Sequence, residues 1–121
     1  MNKKILLIED DPDIQKIYSE KLGNEGFEVI GKTTGNEGLA SAKTTKPDLV
    51  LLDLMLPGSF NGFDVLETLK KDEELKKIPV IILTNIEGQE KPAREIGAVD
   101  YIIKANTDLN QVVEKIKSSL K

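Results

Sequence analysis

The sequence predicts a doubly wound (βα)5 domain of the α/β class, a three-layer sandwich with helices on both faces of a five-stranded parallel sheet. Three observations carry this expectation. Continuous apolar runs at roughly 4–8, 49–52, 80–83 and 99–103 are short and rich in β-branched residues, the pattern of strands buried on both faces. Between the runs the apolar spacing changes to the helical period. The links are short, so strands and helices alternate as right-handed crossovers.

Taken in order, Ile5-Leu6-Leu7-Ile8 forms the first strand and Asp11-Pro12 opens the first helix, with Asp11 as N-cap and proline in the first turn. Ile14, Ile17, Tyr18 and Leu22 share a face and read as a core stripe, and Gly23 and Gly26 stop the helix. Phe27 to Ile30 is a weaker strand, and Gly35 to Thr45 a poorer helix. Leu49-Val50-Leu51-Leu52 is the third strand, and Phe63, Leu66 and Leu69 mark the helix after it. Val80 to Leu83 is the fourth strand. Pro92 falls where the fourth helix belongs; an interior proline is disfavoured by about 3 kcal/mol, so that helix is short and starts near Pro92. Val99 to Ile103 is the fifth strand. Leu109, Val112, Val113, Ile116 and Leu120 form the inner stripe of the last helix, capped by Thr107 or Asn106. Lys70-Lys71 and Lys76-Lys77 read as a solvated helix surface.

At 121 residues the chain is one domain spanning 1–121, long enough to bury about two-thirds of the surface its unfolded form exposes. A net charge of -4 disfavours nucleic acid and anionic membrane as partners, and a cytoplasmic location is expected. Lys3-Lys4 and the following apolar stretch imitate a signal peptide, but the stretch meets Glu9 far too early for one, or for a membrane span. With neither Cys nor His, zinc sites built on those ligands, thiol redox chemistry and His-dependent triads are excluded; a metal here would be a hard cation on oxygen ligands.

Each buried strand hands over to a polar group. Glu9-Asp10 follow the first strand, Asp53 the third, Thr84 the fourth and Lys104 the fifth. In open parallel sheets the ligand crevice lies at the carboxyl ends of the strands, where these residues would converge. This set, with Leu56-Pro57-Gly58 after Asp53, Gly97-Ala98 before the fifth strand and Asp100-Tyr101-Ile102 within it, resembles the receiver domain of two-component response regulators over essentially the whole chain. The resemblance, to chemotaxis-regulator-like receivers, implies a flavodoxin-like strand order of 2-1-3-4-5.

Carboxylates drawn together repel unless a cation sits between them, and Mg²⁺ suits this donor set. Asp10 and Asp53 would be direct ligands and Glu9 a ligand through water; the resemblance adds the backbone carbonyl of Met55. Asp53 would be the phosphoacceptor, with Lys104 neutralising phosphoryl charge and Thr84 donating a hydrogen bond. The resemblance also implies a sensor histidine kinase or phosphotransfer protein as donor, since this chain has no His, and a downstream protein partner. Thr84 would move toward the phosphoryl group, Tyr101 would turn inward behind it, and the face of the fourth helix, fifth strand and fifth helix would change partners. Such a domain catalyses only its own phosphorylation and dephosphorylation.

The alternatives are weaker. A flavodoxin-like cofactor binder needs a glycine loop after Ile8, where this chain has acidic residues that repel phosphate. A haloacid-dehalogenase-type phosphatase needs a second Asp where Met55 stands. The remaining rival is a receiver-like interaction module that works without phosphorylation. Several positions depart from the family pattern. The loop from Pro57 to Gly62 is one residue longer, which places Phe60 near the mouth of the site. Asn85 stands where a small residue is common, narrowing access to the phosphoryl position. Ala105 replaces the proline that usually follows the lysine, and a trans Lys104–Ala105 bond is expected because the cis form of a non-proline bond is disfavoured by about 2.5–4 kcal/mol.

Overall fold

A computed structural model describes residues 2–121. The strands are β1 (Lys4–Ile8), β2 (Glu28–Lys32), β3 (Leu49–Leu52), β4 (Val80–Thr84) and β5 (Asp100–Ile103). The helices are α1 (Pro12–Asn24), α2 (Gly35–Thr45), α3 (Gly62–Lys71), α4 (Glu90–Ile96) and α5 (Leu109–Ser119), with a 3₁₀ turn at Lys104–Asn106. All strand pairs are parallel, in the order β2-β1-β3-β4-β5, as expected.

Strand alternation divides the core into two layers. Leu6, Ile8, Val50, Leu52, Val80 and Ile82 face α2, α3 and α4, packing on residues such as Val65, Leu66 and Ala93. Ile5, Leu7, Leu49, Leu51, Ile81 and Leu83 face α1 and α5, against Tyr18, Leu22, Val112 and Ile116. Because both faces are covered, the interiors of these strands are apolar, and polar groups emerge together where the strands end at one edge of the sheet. From β1 the chain passes to one side into β2 and then crosses back over β1 into β3 on the other side, so a crevice opens between the ends of β1 and β3.

Local chemistry sets the helix ends. Asp11 caps α1 by accepting from the N–H groups of Asp13 and Ile14, with Pro12 in the first turn as predicted. Asn61 and Asp64 form a capping box at α3. Pro92 is the third residue of α4, where a missing N–H breaks no intrahelical bond, and the helix has only 7 residues.

Several expectations are corrected. Gly23 lies inside α1, which runs to Asn24 before Gly26 lets the chain turn at φ 95°. The cap of α5 is Asp108, paired with Gln111 in a capping box, rather than Thr107 or Asn106; Asn106 is used by the 3₁₀ turn. Ile17 is 52% exposed and does not belong to the core stripe of α1. Lys70 is half-buried rather than free in solvent: its stem lies along Gly97 and its ammonium donates to the carbonyls of Lys76 (3.1 Å) and Ile78 (2.8 Å), tying the α3–β4 connection. Phe60 does not line the crevice but packs half-buried against Gly35 and Val65, so the longer loop folds back onto α2 and α3.

Candidate functional site

β1 and β3 end side by side, with Ile8 beside Leu52, and the Asp53 N–H donates to the Ile8 carbonyl at 3.1 Å. This bond continues the sheet by one step and sets Glu9 and Asp53 next to each other. Both are buried, at 2% and 5% exposure, whereas Asp10 is exposed. One carboxylate oxygen from each of Glu9, Asp10 and Asp53 lies within 4.8 Å of the others. Local turns orient the two buried groups. Glu9 Oε2 accepts from the Asp11 N–H at 3.1 Å, and Asp53 Oδ1 accepts from the Met55 N–H at 3.0 Å.

Lys104 reaches this cluster from the end of β5. Its ammonium donates to Asp53 Oδ2 at 2.8 Å and to Glu9 Oε1. Burial alone would lower its pKa, but the hydrogen bonds to Asp53 and Glu9 outweigh it and hold the ammonium above its ordinary range. Glu9 is pushed up by burial and by the Asp53 charge, against the pull of Lys104 and the Asp11 N–H. One ammonium thus serves two buried carboxylates. Glu9, Asp10, Asp53, Met55 and Lys104 line a single cleft of about 610 Å³.

Thr84 ends β4, fully buried, and does not line that cleft. Its hydroxyl oxygen accepts a long bond (3.4 Å) from the Ile86 N–H. Tyr101, 9% exposed, donates its hydroxyl to the Ile86 carbonyl, so both residues are tied to Ile86 and Tyr101 already lies inward. The Lys104–Ala105 bond is trans, as expected. The Ala105 N–H, which a proline would lack, donates to Asn85 Oδ1 at 3.0 Å, so the two departures at 85 and 105 meet in one hydrogen bond across the rim of the cleft.

A second groove, of about 670 Å³, runs between α1 and the start of α5. It shares Ile14, Asn85 and Lys104 with the acidic cleft and is also lined by Ile17, Tyr18 and Leu109. Ile14 and Leu109 pack against the core as expected from their spacing while also edging this groove, whereas Ile17 only lines it, because helical spacing is the same whether a stripe meets the sheet or a groove. Among the described residues, no helix is long and apolar enough to cross a membrane.

Residues 5–117 match the description of the response regulator receiver domain. The chain belongs to this family. It is 36% identical to the polar-differentiation response regulator DivK of Brucella ovis, over 99% of this chain and 98% of that one. Among solved structures, the BeF3-activated receiver domain of Klebsiella pneumoniae RstA superposes with a TM-score of 0.89 at 30% identity, covering 98% of each chain. A CheY-like receiver domain protein from Methanospirillum hungatei superposes with a TM-score of 0.90 at 31% identity, covering 99% of this chain and 94% of that one. The acidic cleft of this receiver domain therefore lies at the carboxyl edge of a sheet shared with other two-component signalling receivers.

Proposed function

We propose that this receiver domain accepts a phosphoryl group on Asp53 from a sensor histidine kinase or phosphotransfer protein. The observation that carries the reading is the partly buried Lys104 ammonium spanning the buried Glu9 and Asp53 at the ends of three strands. A structural salt bridge needs one carboxylate; two buried carboxylates on one ammonium, with a third at their side, leave net negative charge that a bound cation would neutralise.

The donor set fits Mg²⁺, because the converging ligands are carboxylate oxygens. Asp10, Asp53 and the Met55 carbonyl would hold it directly and Glu9 through water, and bound Mg²⁺ would supply positive charge to the phosphoryl oxygens. An oxygen of Asp53 forms the new bond to phosphorus in line with the breaking phosphorus–nitrogen bond of the donor, whose imidazole leaves with the bonding electrons. Lys104 already holds Asp53 Oδ2 and is placed to follow the charge onto the phosphoryl group. Among the described residues the Thr84 hydroxyl acts only as acceptor, which leaves its proton to donate to the phosphoryl group. Its movement would draw on Ile86, to which Tyr101 is bonded, and so alter the α4–β5–α5 face presented to a downstream protein.

The donor must be another protein, as this chain has no His. The groove beside the cleft supplies its seat, with Ile17 as an exposed apolar contact adjoining the reacting residues. Ile17→Glu should slow phosphorylation by a donor protein at least tenfold while leaving phosphorylation by acetyl phosphate unchanged. Equal slowing with both donors would remove the groove from the account.

The experiment for the reading itself is the intact mass after incubation with acetyl phosphate. One added phosphoryl group is expected with Mg²⁺ and none with EDTA; a chain that takes none under either condition is a receiver-like module that works without phosphorylation. Mg²⁺ at millimolar concentration should also raise the melting temperature, because it binds the folded state and relieves the carboxylate repulsion. Asp10→Asn should blunt that rise.

A further inference from the structure

Among the described residues Gln15 makes no hydrogen bond to the acidic side chains, yet it holds the backbone that carries two of them. Its Nε2 group donates both protons, one to the Glu9 carbonyl (3.1 Å) and one to the Lys32 carbonyl at the end of β2 (3.1 Å). The Glu9 N–H also donates to the Lys32 carbonyl, at 2.9 Å. Residue 9 is thus fixed at both its N–H and its C=O, and the peptide plane between Glu9 and Asp10 cannot rotate without breaking one of these bonds. This matters most for Asp10. Its carboxylate is exposed and takes no hydrogen bond from protein donors among the described residues, so only the backbone aims it. Gly31 makes the arrangement possible, since a Cβ there would lie 2.6 Å from Gln15 Oε1 and 2.7 Å from its Cδ.

We infer that Gln15 is a positioning residue for the Mg²⁺ ligands, acting through the Glu9–Asp10 peptide in a seat that Gly31 leaves open. The inference rests on the metal reading above. Groups that orient metal ligands from behind typically change metal affinity about 10- to 100-fold when removed. The bonds here act through backbone rather than directly on a ligand atom, which places the effect at the lower end.

Isothermal titration with MgCl₂ tests this on the intact chain. Gln15→Ala should weaken Mg²⁺ binding about tenfold. Gln15→Met, which keeps the length of the side chain but not its donors, should weaken it equally, whereas recovery in Gln15→Met would assign the effect to packing and overturn the inference. Gly31→Ala should also weaken binding, by displacing the amide, and should add nothing in a Gln15→Ala background; additive losses would overturn the link between the two residues. Wild-type affinity in both Gln15 variants would refute the inference alone, while a wild-type chain that gives no binding heat would refute the metal reading with it.

Discussion

Lys104→Met should lower the stability of the metal-free protein by about 3 kcal/mol and slow phosphorylation by acetyl phosphate at least 100-fold. The stability term follows from burial. Lys104 has a side-chain exposure of 10%, against 2% for Glu9 and 7% for Asp53, and removing one partner of a buried ion pair is disfavoured by about 3–5 kcal/mol. The low end applies because Glu9, whose carboxyl is already raised by burial, can take up a proton instead. The kinetic term follows from the loss of a positioned charge at the transition state, where removing a single donor typically lowers the rate by about 10²–10³. Two further signatures separate this from a general packing defect. Mg²⁺ should stabilise the variant more than the wild type, since it would then be the only cation available to the cluster. The difference in stability should also depend on pH in a defined sense. A lysine held above its ordinary range contributes fully at neutral pH and loses that contribution as pH rises through its folded value, so the two proteins should converge above the usual lysine range. Melting curves at several pH values, with EDTA and with Mg²⁺, check all three.

Gly62→Ala is expected to destabilise by about 2–3 kcal/mol, although alanine is the better helix former by about 1 kcal/mol. Gly62 is the first residue of α3, and a Cβ there would lie 2.2 Å from the Asp53 carbonyl oxygen and 2.5 Å from Leu54 Cα. Both neighbours are backbone, so no rotamer change can relieve the contact. The strain would fall on the Asp53–Met55 turn that orients the proposed phosphoacceptor, and Mg²⁺ should raise the melting temperature less in this variant than in the wild type. Gly23→Ala provides the contrast. It lies inside α1 with nothing within 4 Å of an added Cβ, and should stabilise by up to about 1 kcal/mol. Denaturant titration of the two variants should therefore give changes of opposite sign.

The strands were legible because burial on both faces leaves an apolar run leading up to each strand's end, which is also why Glu9, Asp53, Thr84 and Lys104 stood out. That the first, second and last converge on one cleft follows from parallel strands ending at one edge; that Thr84 lies buried outside the cleft lining does not. Helix ends were harder. Asn106, Thr107 and Asp108 are all good caps, and only the 3₁₀ turn at Lys104–Asn106 decides that Asp108 serves. Ile17 and Phe60 were misplaced for different reasons: helical spacing does not distinguish a core stripe from a groove floor, and loop length gives reach but not direction. Gln15, Gly31 and Gly62 carried no signal at all. Their importance lies in close approaches between segments, such as Gln15 to Lys32 or Gly62 to Asp53, that no local pattern encodes.

The most direct test of the account is to locate the phosphoryl group. After incubation with acetyl phosphate and Mg²⁺, borohydride reduction converts an acyl phosphate to an alcohol, and peptide mass spectrometry then identifies the residue that changed. The account predicts reduction at Asp53 alone, and none in Asp53→Asn. Reduction at Glu9 or Asp10 in the wild type, or an Asp53→Asn chain that still gains a phosphoryl group, would contradict it.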